Sequence, residues 1–223
     1  MIKNFIFDFD GTLADSSLGI YKAFASSCVK NNLKPPDISK FKQNIGPPIY
    51  RLIYKIYPNI EENKKINFVK TFREEYDNVF YKYVDWYEGV FETINFLSKV
   101  QKLNLFIITN KPTKTCIKIL RDANILNFFK IVIGVDYRLV KKEHKASNFD
   151  DKSSAFDYFF SRNAVIKDES IYVGDTFNDK VECDKSELKF IAVNYGFYKW
   201  DSKIKNLPQI NSIVELQKLN NFF

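Results

Sequence analysis

Five short and nearly uninterrupted apolar runs alternate with amphipathic segments along most of this chain. The predicted strands are residues 3–8, 104–109, 130–134, 170–174 and 189–194. Strands that are apolar on both sides are expected where helices cover both faces of a sheet. Between the runs, apolar residues recur at intervals of three and four, as in Phe91, Ile94 and Leu97. The pattern predicts an α/β fold with a doubly wound parallel sheet.

One interval does not fit a simple crossover. The first and second predicted strands are separated by nearly 100 residues, whereas a connection between parallel strands needs only about a dozen. The surplus shows amphipathic helical spacing and no convincing strand. We therefore expect residues 1–15 and 88–223 to form the α/β core and residues 16–87 to form a helical insertion. Open α/β sheets bind ligands beyond the carboxyl ends of their strands, so the insertion is expected there, as a lid.

The composition of the chain limits which binding partners and which cellular compartment are expected. The net charge is +7, but the lysines are scattered and no nucleic-acid-binding motif is present, so we expect no nucleic-acid partner. Steering of a small anionic substrate is the milder implication. No apolar run approaches 18 residues, so no membrane span is expected. Acidic residues in the first segment argue against a secretory signal. The sequence thus predicts a cytoplasmic protein, and it leaves the oligomeric state open.

Cysteine and histidine usage excludes several kinds of catalytic site. Cys28, Cys116 and Cys183 are far apart and lie in helical segments, so they are expected to be buried thiols. The one histidine, His144, lies in a charged cluster and is expected to be a surface residue. A Ser-His-Asp hydrolase or a histidine-ligated zinc enzyme is therefore disfavoured.

Carboxylates follow two of the predicted strands. Asp8 and Asp10 come directly after the first strand and precede Gly11, which permits a sharp turn, and Asp175 and Asp179 come directly after the fourth. If the two strands are neighbours in a parallel sheet, four carboxylates converge at its carboxyl edge. Such like charges repel strongly unless a cation neutralises them. An oxygen-only set with few protein ligands fits Mg²⁺, which also accepts phosphate oxygens of a substrate.

Donors for an anion follow a third strand. Thr109 and Asn110 end the second predicted strand and offer a hydroxyl and backbone N–H groups. Lys152 opens the amphipathic helix before the fourth strand, where its ammonium could reach both a phosphate and a carboxylate. A carboxylate nucleophile, a proton donor, a metal and donors for phosphoryl oxygens are the parts of phosphoryl transfer.

Three motifs resemble those of the haloacid dehalogenase-like hydrolases. Their first motif is an apolar strand followed by DxDGTL, and residues 5–13 read FIFDFDGTL. Their second, an apolar strand ending in Thr or Ser, is matched by FIITN at residues 106–110, and their fourth, GDxxxD, by GDTFND at residues 174–179. The resemblance implies a Rossmann-like core with an inserted helical cap, as in the subgroup that includes phosphoglycolate phosphatases. The loop IGPP at residues 45–48 resembles one found in such caps.

The resemblance also implies roles for the carboxylates. Asp8 would attack phosphorus and become a transient aspartyl-phosphate, while Asp10 would protonate the leaving oxygen and later activate water. Asp8, the backbone carbonyl of Asp10 and Asp175 would hold Mg²⁺, with Asp179 supporting the ion through a water molecule or from outside the set of direct ligands. Dehalogenases of the family lack the second Asp, so the presence of Asp10 favours phosphate chemistry.

The remaining roles leave alternatives open. Thr109, Asn110 and Lys152 would bind the phosphate. Lys152 is the favoured third-motif lysine, but it lacks the Lys-Pro-x-Pro setting of many relatives, and its competitors are Lys141, Lys142 and Lys145. Among structural alternatives, Asp175 and Thr109 would be helix caps and Asp179 a solvated helix residue.

The expected function is Mg²⁺-dependent hydrolysis of a phosphomonoester of a small metabolite. Its rivals are a sugar phosphomutase on the same scaffold and a non-catalytic binding module. The residues that would select the substrate are not identified by sequence.

Overall fold

A computed structural model of the 223-residue chain describes residues 1–134, 152–200 and 207–221. The chain divides into two compact units. An α/β unit comprises Met1–Ala14 and Trp86–Phe223, and a helical unit comprises Asp15–Asp85. The sequence analysis predicted the boundaries between the two units after residue 15 and after residue 87.

Parallel strands form the sheet of the α/β unit, in the order β5-β4-β1-β6-β7-β8. A second sheet pairs β2 with β3. The strands are β1 Asn4–Phe7, β2 Ala14–Asp15, β3 Asp85–Trp86, β4 Asn104–Ile108, β5 Ile131–Ile133, β6 Ser170–Gly174, β7 Lys189–Val193 and β8 Gln209–Ile210.

The described helices fill the intervals between strands. The α-helices are α1 Ser17–Lys30, α2 Ile38–Lys42, α3 Ile49–Ile56, α4 Glu62–Asn78, α5 Val90–Lys99, α6 Thr113–Asp122, α7 Lys152–Arg162 and α8 Phe177–Lys185. Short 3₁₀ segments lie at Phe80–Lys82, Leu126–Phe128, Lys167–Glu169 and Ile213–Asn221.

The register of the central strands sets where the site forms. Phe7 at the end of β1 pairs with Ile107 of β4 on one side and with Val173 of β6 on the other. The three strands therefore end at nearly the same level, and the polar residues that follow them meet at one edge. Below that edge, β1, β4 and β6 are buried along almost their whole length, because aliphatic and aromatic side chains cover both faces.

The predicted fold class is confirmed: a parallel α/β sheet carries the five predicted strands. Cys28, Cys116 and Cys183 are buried free thiols, as expected. His144 lies outside the described residues. In the described part of the chain, no helix combines the length and apolar character needed to cross a membrane.

Three short strands, β2, β3 and β8, escaped the sequence analysis. The expectation of no strand within residues 16–87 is wrong, because β3 lies there and pairs with β2. β8, on the far side of β7, was also missed. Each of these strands is two residues long, too short to show an apolar period, so backbone pairing and not side-chain pattern defines it.

The helical unit has an aromatic core of its own. The Phe24 ring of α1 lies 4.8 Å from the ring of Phe68 on α4 and 4.8 Å from that of Phe41 on α2. All three residues are fully buried. The spacing of apolar residues on α1 and α4 predicted these helical faces, and their pairing holds α1 against α4.

A buried lysine of α4 packs against α3 in the helical unit. Lys65 is 0% exposed, and its Nζ lies 3.0 Å from the ring centroid of Tyr50 and 3.7 Å from that of Tyr54. Both tyrosine hydroxyls donate to the Glu62 carboxylate, at 3.0 and 2.6 Å, and Lys65 donates to it at 3.3 Å. We call these four residues the Lys65 cluster. Burial alone would lower the pKa of Lys65, but the contacts with the two tyrosines and Glu62 raise it.

Candidate active site

Asp8 directly follows β1 at the centre of the sheet. Its backbone N–H donates to the carbonyl of Val173 on β6 at 2.9 Å, and the residue is 6% exposed. Immediately afterwards the chain turns at Gly11, whose φ of +82° falls in a region that side chains other than glycine rarely adopt. The strand end and the turn thus fix Asp8 at the carboxyl edge of the sheet.

The Asp8 carboxylate is held from two directions. Its Oδ1 accepts from the backbone N–H of Phe9 at 2.8 Å, and its Oδ2 accepts from Lys152 at 2.7 Å. Burial raises the pKa of Asp8 to about 6, the charge of Lys152 opposes that rise, and Asp179 adds to it. A hydrogen bond from Thr109 also favours the charged form and so lowers the pKa. Asp8 is therefore an oriented carboxylate, held in place by one cation.

Lys152 is the first residue of α7 and is 2% exposed. Its Nζ donates to Asp8, to Asp179 at 2.5 Å and to the hydroxyl of Tyr172 at 2.8 Å. Burial disfavours the ammonium form, but the charges of Asp179 and Asp8 outweigh it, so the pKa of Lys152 lies above its ordinary value. One fixed positive charge thus links the ends of β1 and β6.

Asp179 links this lysine to the start of α8. Its Oδ1 accepts from Lys152, and its Oδ2 accepts from the hydroxyl and the backbone N–H of Thr176 at 2.6 and 3.1 Å. The hydroxyl of Thr176 in turn accepts from the Asp179 N–H, which completes a capping box. Asp179 is 1% exposed, so the solvated-residue alternative is wrong. The helix cap is Thr176 and not Asp175, so that alternative is wrong too.

Asp175 is wedged between two glycines. A Cβ added at Gly11 would lie 2.2 Å from the Oδ2 of Asp175, and a Cβ added at Gly196 would lie 2.3 Å from the Cβ of Asp175. The Oδ2 accepts from the backbone N–H of Phe197 at 2.8 Å, whereas the Oδ1 is buried with no hydrogen-bond partner in the described parts of the chain. Burial, and then the charges of Asp179 and Asp8, hold the pKa of Asp175 well above its usual value.

Together these residues form an acidic cluster that fits a divalent cation. Oxygens of Asp8, Asp175 and Asp179 all lie within 4.8 Å of one another, and all three residues are buried. Lys152 supplies one positive charge to the three carboxylates, and the Oδ1 of Asp175 has no donor. A buried carboxylate oxygen without a partner is costly, and a hard cation that binds oxygen would relieve both the unsatisfied oxygen and the repulsion.

The side chain of Asp10 does not join this cluster. Both of its oxygens accept from the Nζ of Lys111, at 2.7 and 3.1 Å. The Lys111 side chain is 2% exposed and that of Asp10 is 22% exposed. The structure therefore brings three of the four predicted carboxylates together and places the fourth on a separate lysine. A role for Asp10 through its backbone carbonyl remains a prediction.

The predicted phosphate donors lie at the end of β4. Thr109 is 4% exposed, and its backbone N–H donates to the carbonyl of Ile133 on β5 at 3.0 Å. Asn110 is partly exposed. Because α6 begins at Thr113 with Pro112 as its cap, the helix-cap alternative for Thr109 is wrong. Of the candidate lysines, Lys152 lies against Asp8, while the three competitors, Lys141, Lys142 and Lys145, lie outside the described residues.

Sequence reasoning missed several residues that shape the site. Lys111 was overlooked in a chain with 34 basic residues. Its position directly after the polar end of a predicted strand could have identified it. Tyr172 was read only as part of an apolar strand, yet its hydroxyl donates to the carbonyl of Ile108 at 2.7 Å and accepts from Lys152. Glu182, which is buried, accepts from the backbone N–H of Ser153 at 3.1 Å and so fixes the start of α7.

Several known proteins are similar to this chain in sequence or in fold. A phosphoglycolate phosphatase from Pseudomonas fluorescens is 26% identical over 198 residues, which are 86% of this chain and 69% of that protein. A 5′-nucleotidase from Pseudomonas aeruginosa is 22% identical over 92% of this chain and 88% of its own length. The crystal structure of a predicted phosphatase from Clostridium acetobutylicum shares the fold, with a TM-score of 0.85, 24% identity and full coverage of both chains.

The family model for haloacid dehalogenase-like hydrolases matches residues 5–193. This span begins within β1 and ends with β7, so it includes every residue of the acidic cluster. The resemblance drawn from the three sequence motifs is confirmed, including the similarity to phosphoglycolate phosphatases. This chain belongs to the haloacid dehalogenase-like hydrolase family.

Proposed function

We propose that this protein is a Mg²⁺-dependent phosphatase that hydrolyses a phosphomonoester of a small metabolite through an aspartyl-phosphate on Asp8. The observation that carries the proposal is the position of Asp8. It follows a central strand, is paired with the buried Lys152, and belongs to the carboxylate cluster that fits a cation. A structural carboxylate would not need such a costly setting.

In the first half of the proposed reaction, an oxygen of Asp8 bonds to the substrate phosphorus. The bond from phosphorus to the ester oxygen breaks, and the leaving oxygen takes a proton from Asp10. Thr109, Asn110 and Lys152 are the donors available to phosphoryl oxygens. Buried donors of this kind stabilise developing charge better than water does, because they need no reorganisation during the reaction.

In the second half, water attacks the same phosphorus and gives a proton to Asp10. The bond between phosphorus and Asp8 breaks, its electron pair returns to the Asp8 carboxylate, and inorganic phosphate leaves. One residue serves first as acid and then as base, so a single turnover returns Asp10 to its starting protonation state.

The residues that would hold Mg²⁺ are Asp8, Asp175 and the backbone carbonyl of Asp10. When bound, the ion would neutralise charge on phosphoryl oxygens and on the clustered carboxylates. Asp179 joins Lys152 to Thr176 at the start of α8 through both of its oxygens, so we assign it a supporting role. It would hold Lys152 and the start of α8 in place.

Support for a small phosphorylated metabolite comes from the similar proteins. One is a phosphoglycolate phosphatase and another is a 5′-nucleotidase, and both names denote enzymes that act on small phosphate esters. The net charge of +7 favours the approach of such anions. We therefore propose a small phosphomonoester as the substrate, and a substrate panel would identify its organic part.

The experiment is phosphate release from p-nitrophenyl phosphate and from a panel of phosphorylated metabolites, with and without Mg²⁺. We expect Mg²⁺-dependent release, and a loss of at least about 1,000-fold in Asp8→Asn, because the nucleophile is gone. Asp157→Asn on the exposed side of α7 is the matched control and should retain activity.

Two results would contradict the proposal. Undiminished activity in Asp8→Asn would show that another group attacks phosphorus. Isomerisation of a sugar phosphate without net phosphate release would identify the phosphomutase instead.

A further inference from the structure

Lys111 is a buried lysine that the reaction described above does not use. It lies between β4 and α6, two residues after Thr109 and one residue before Pro112, the cap of α6. Its backbone carbonyl lies close to Gly134, where an added Cβ would be 2.3 Å away. The end of β4 and the chain beyond β5 therefore fix the backbone from which this side chain extends.

The Nζ of Lys111 contacts both oxygens of one carboxylate. It donates to Asp10 at 2.7 Å and at 3.1 Å. Two hydrogen bonds from one ammonium to both oxygens define the position of the carboxylate and limit its rotation. Lysine side chains have large rotamer freedom in solution, and here that freedom is removed by burial to 2% exposure and by contact at 5.2 Å with the ring of Phe9.

The two lysines of the site have separate partners. Lys152 holds Asp8 and Asp179, and Lys111 holds Asp10. Different cations thus orient the two groups of the proposed reaction. Lys152, at the start of α7, orients the nucleophile, and Lys111, after the end of β4, orients the group that exchanges protons with substrate and water. Lys152 can serve the nucleophile without fixing Asp10, so a second buried lysine has a distinct task.

We propose that Lys111 is the positioning residue for Asp10 in the water-attack half of the reaction, an inference that rests on the proposed function. In that half, water bonds to phosphorus, its proton passes to an Asp10 oxygen, and the bond from phosphorus to Asp8 breaks with the electron pair returning to Asp8. A carboxylate held by an ammonium is oriented and presents lone pairs as an acceptor. Lys111 therefore speeds release of phosphate from Asp8 more than it speeds formation of the aspartyl-phosphate.

The test uses a substrate whose leaving group needs no proton. p-Nitrophenolate departs without an acid, so loss of Asp10 positioning should leave the first half unchanged with p-nitrophenyl phosphate. In Lys111→Met we expect kcat to fall by about tenfold or more, because loss of positioning removes part of the roughly 100-fold to 10,000-fold that acid–base catalysis contributes. KM should fall in parallel, and kcat/KM should stay the same because it reports the unchanged first half.

Pre-steady-state measurement gives a second readout. The slowed second half should produce a burst of about one p-nitrophenolate per enzyme, and acid quenching should trap phosphate on the protein. Met has a length close to that of Lys and suits a buried site, and Lys111→Arg, which restores a cation, should recover part of kcat and reduce the burst. Lys114→Met, at an exposed lysine in the first turn of α6, is the matched control and should behave as the wild type.

The outcomes separate this inference from the proposed function. If the wild type releases phosphate but Lys111→Met has the same kcat, or loses kcat/KM with no burst, the positioning role is wrong and the phosphatase assignment stands. A thermal melt of each variant shows whether a loss comes from unfolding, and in that case Lys111→Arg decides. If the wild type releases no phosphate from any ester, the proposed function fails and takes this inference with it.

Discussion

Two buried lysines, one in each unit of the molecule, show what distinguishes a reactive site from a stable cluster. Lys65 of the helical unit is 0% exposed and lies against two tyrosine rings and one carboxylate, that of Glu62. Lys152 of the α/β unit is 2% exposed and bonds two carboxylates and one hydroxyl. Burial is nearly equal, but the surrounding charge is not.

The difference lies in charge balance and in satisfied hydrogen bonds. In the Lys65 cluster one cation meets one carboxylate, and both oxygens of Glu62 accept hydrogen bonds from tyrosines. Around Lys152 one cation meets three carboxylates, and the Oδ1 of Asp175 has no partner in the described chain. A buried lysine paired with a carboxylate is thus by itself weak evidence for function. An excess of negative charge together with an unsatisfied oxygen is a stronger indicator of a functional site, because it calls for a cation in addition to Lys152.

Removing each lysine tests this comparison most strongly. Lys152→Met leaves buried carboxylates without their cation, so we expect the free energy of unfolding of the metal-free protein to fall by about 3–5 kcal/mol at pH 8, with loss of phosphatase activity. Lys65→Met leaves Glu62, whose side chain is 53% exposed, in contact with water. Its cost should be the lost cation–π contacts, about 1–2 kcal/mol, with activity retained. Urea unfolding of both variants gives the two values.

Equal losses in these two variants would contradict the comparison. They would show that burial of the lysine decides the energy and that the surrounding charge does not. A Lys152→Met protein with wild-type stability would show that the carboxylates of the cluster are protonated in the folded state.

Divalent cation binding should give the next largest effect. If the acidic cluster holds Mg²⁺, a concentration 100 times Kd stabilises the folded protein by about 2.7 kcal/mol, which the melting temperature reports. Lys65→Met should keep this shift, whereas Asp175→Asn should lose it, because the amide removes charge from the cluster. Added NaCl of the same ionic strength is the control. A shift of the same size in Asp175→Asn would place the ion elsewhere.

The smallest expected effect is a gain in stability. The folded pKa of Asp175 lies above its ordinary value of 3.8, so the folded protein binds that proton more tightly than the unfolded chain does. The stability from this group is present at acid pH and is lost as pH rises from about 4 through the raised folded pKa. In EDTA at pH 8, Asp175→Asn should therefore melt about 2–4 °C higher for each 1 kcal/mol of repulsion removed.

The pH dependence of that gain is its own control. The difference between Asp175→Asn and wild type should shrink at pH 4, where the wild-type carboxyl is protonated. A difference that does not change with pH would mean that the amide acts through packing and not through charge. A lower melting temperature at both pH values would show that the Asp175 carboxylate stabilises the metal-free fold.

Much of the α/β unit could be predicted because its signals are local. β1, β4 and β6 are continuous apolar runs, and the polar residues that follow them are adjacent in sequence to those runs. Parallel strands end at one edge, so Asp8, Thr109 and Asp175 could be expected together before any coordinates. The start of α7 at Lys152 was likewise visible from the amphipathic spacing that follows it.

Contacts that depend on side-chain direction could not be predicted in this way. Nothing in sequence spacing shows that Asp10 faces Lys111 while Asp8, two residues earlier, faces Lys152. The close approach of Gly11 to the Asp175 carboxylate was equally invisible, because it joins the turn after β1 to the residue that follows β6. The cradle of Asp175 was also hidden, because Gly196 and the N–H of Phe197 come from the segment after β7, about 20 residues further on.

The position of β1 at the middle of the sheet has a consequence for biosynthesis. β1 is translated before both of its neighbours in the sheet, because it pairs with β4 about 100 residues later and with β6 about 166 residues later. At the ribosome's pace of roughly 5–20 residues per second, the nascent polypeptide would carry Asp8 and Asp10 for on the order of ten seconds or more before Asp179 is even translated. During that time the β1 segment is an unpaired apolar run followed by two acids, and exposed apolar surface of this kind favours aggregation until its partner strands have been made.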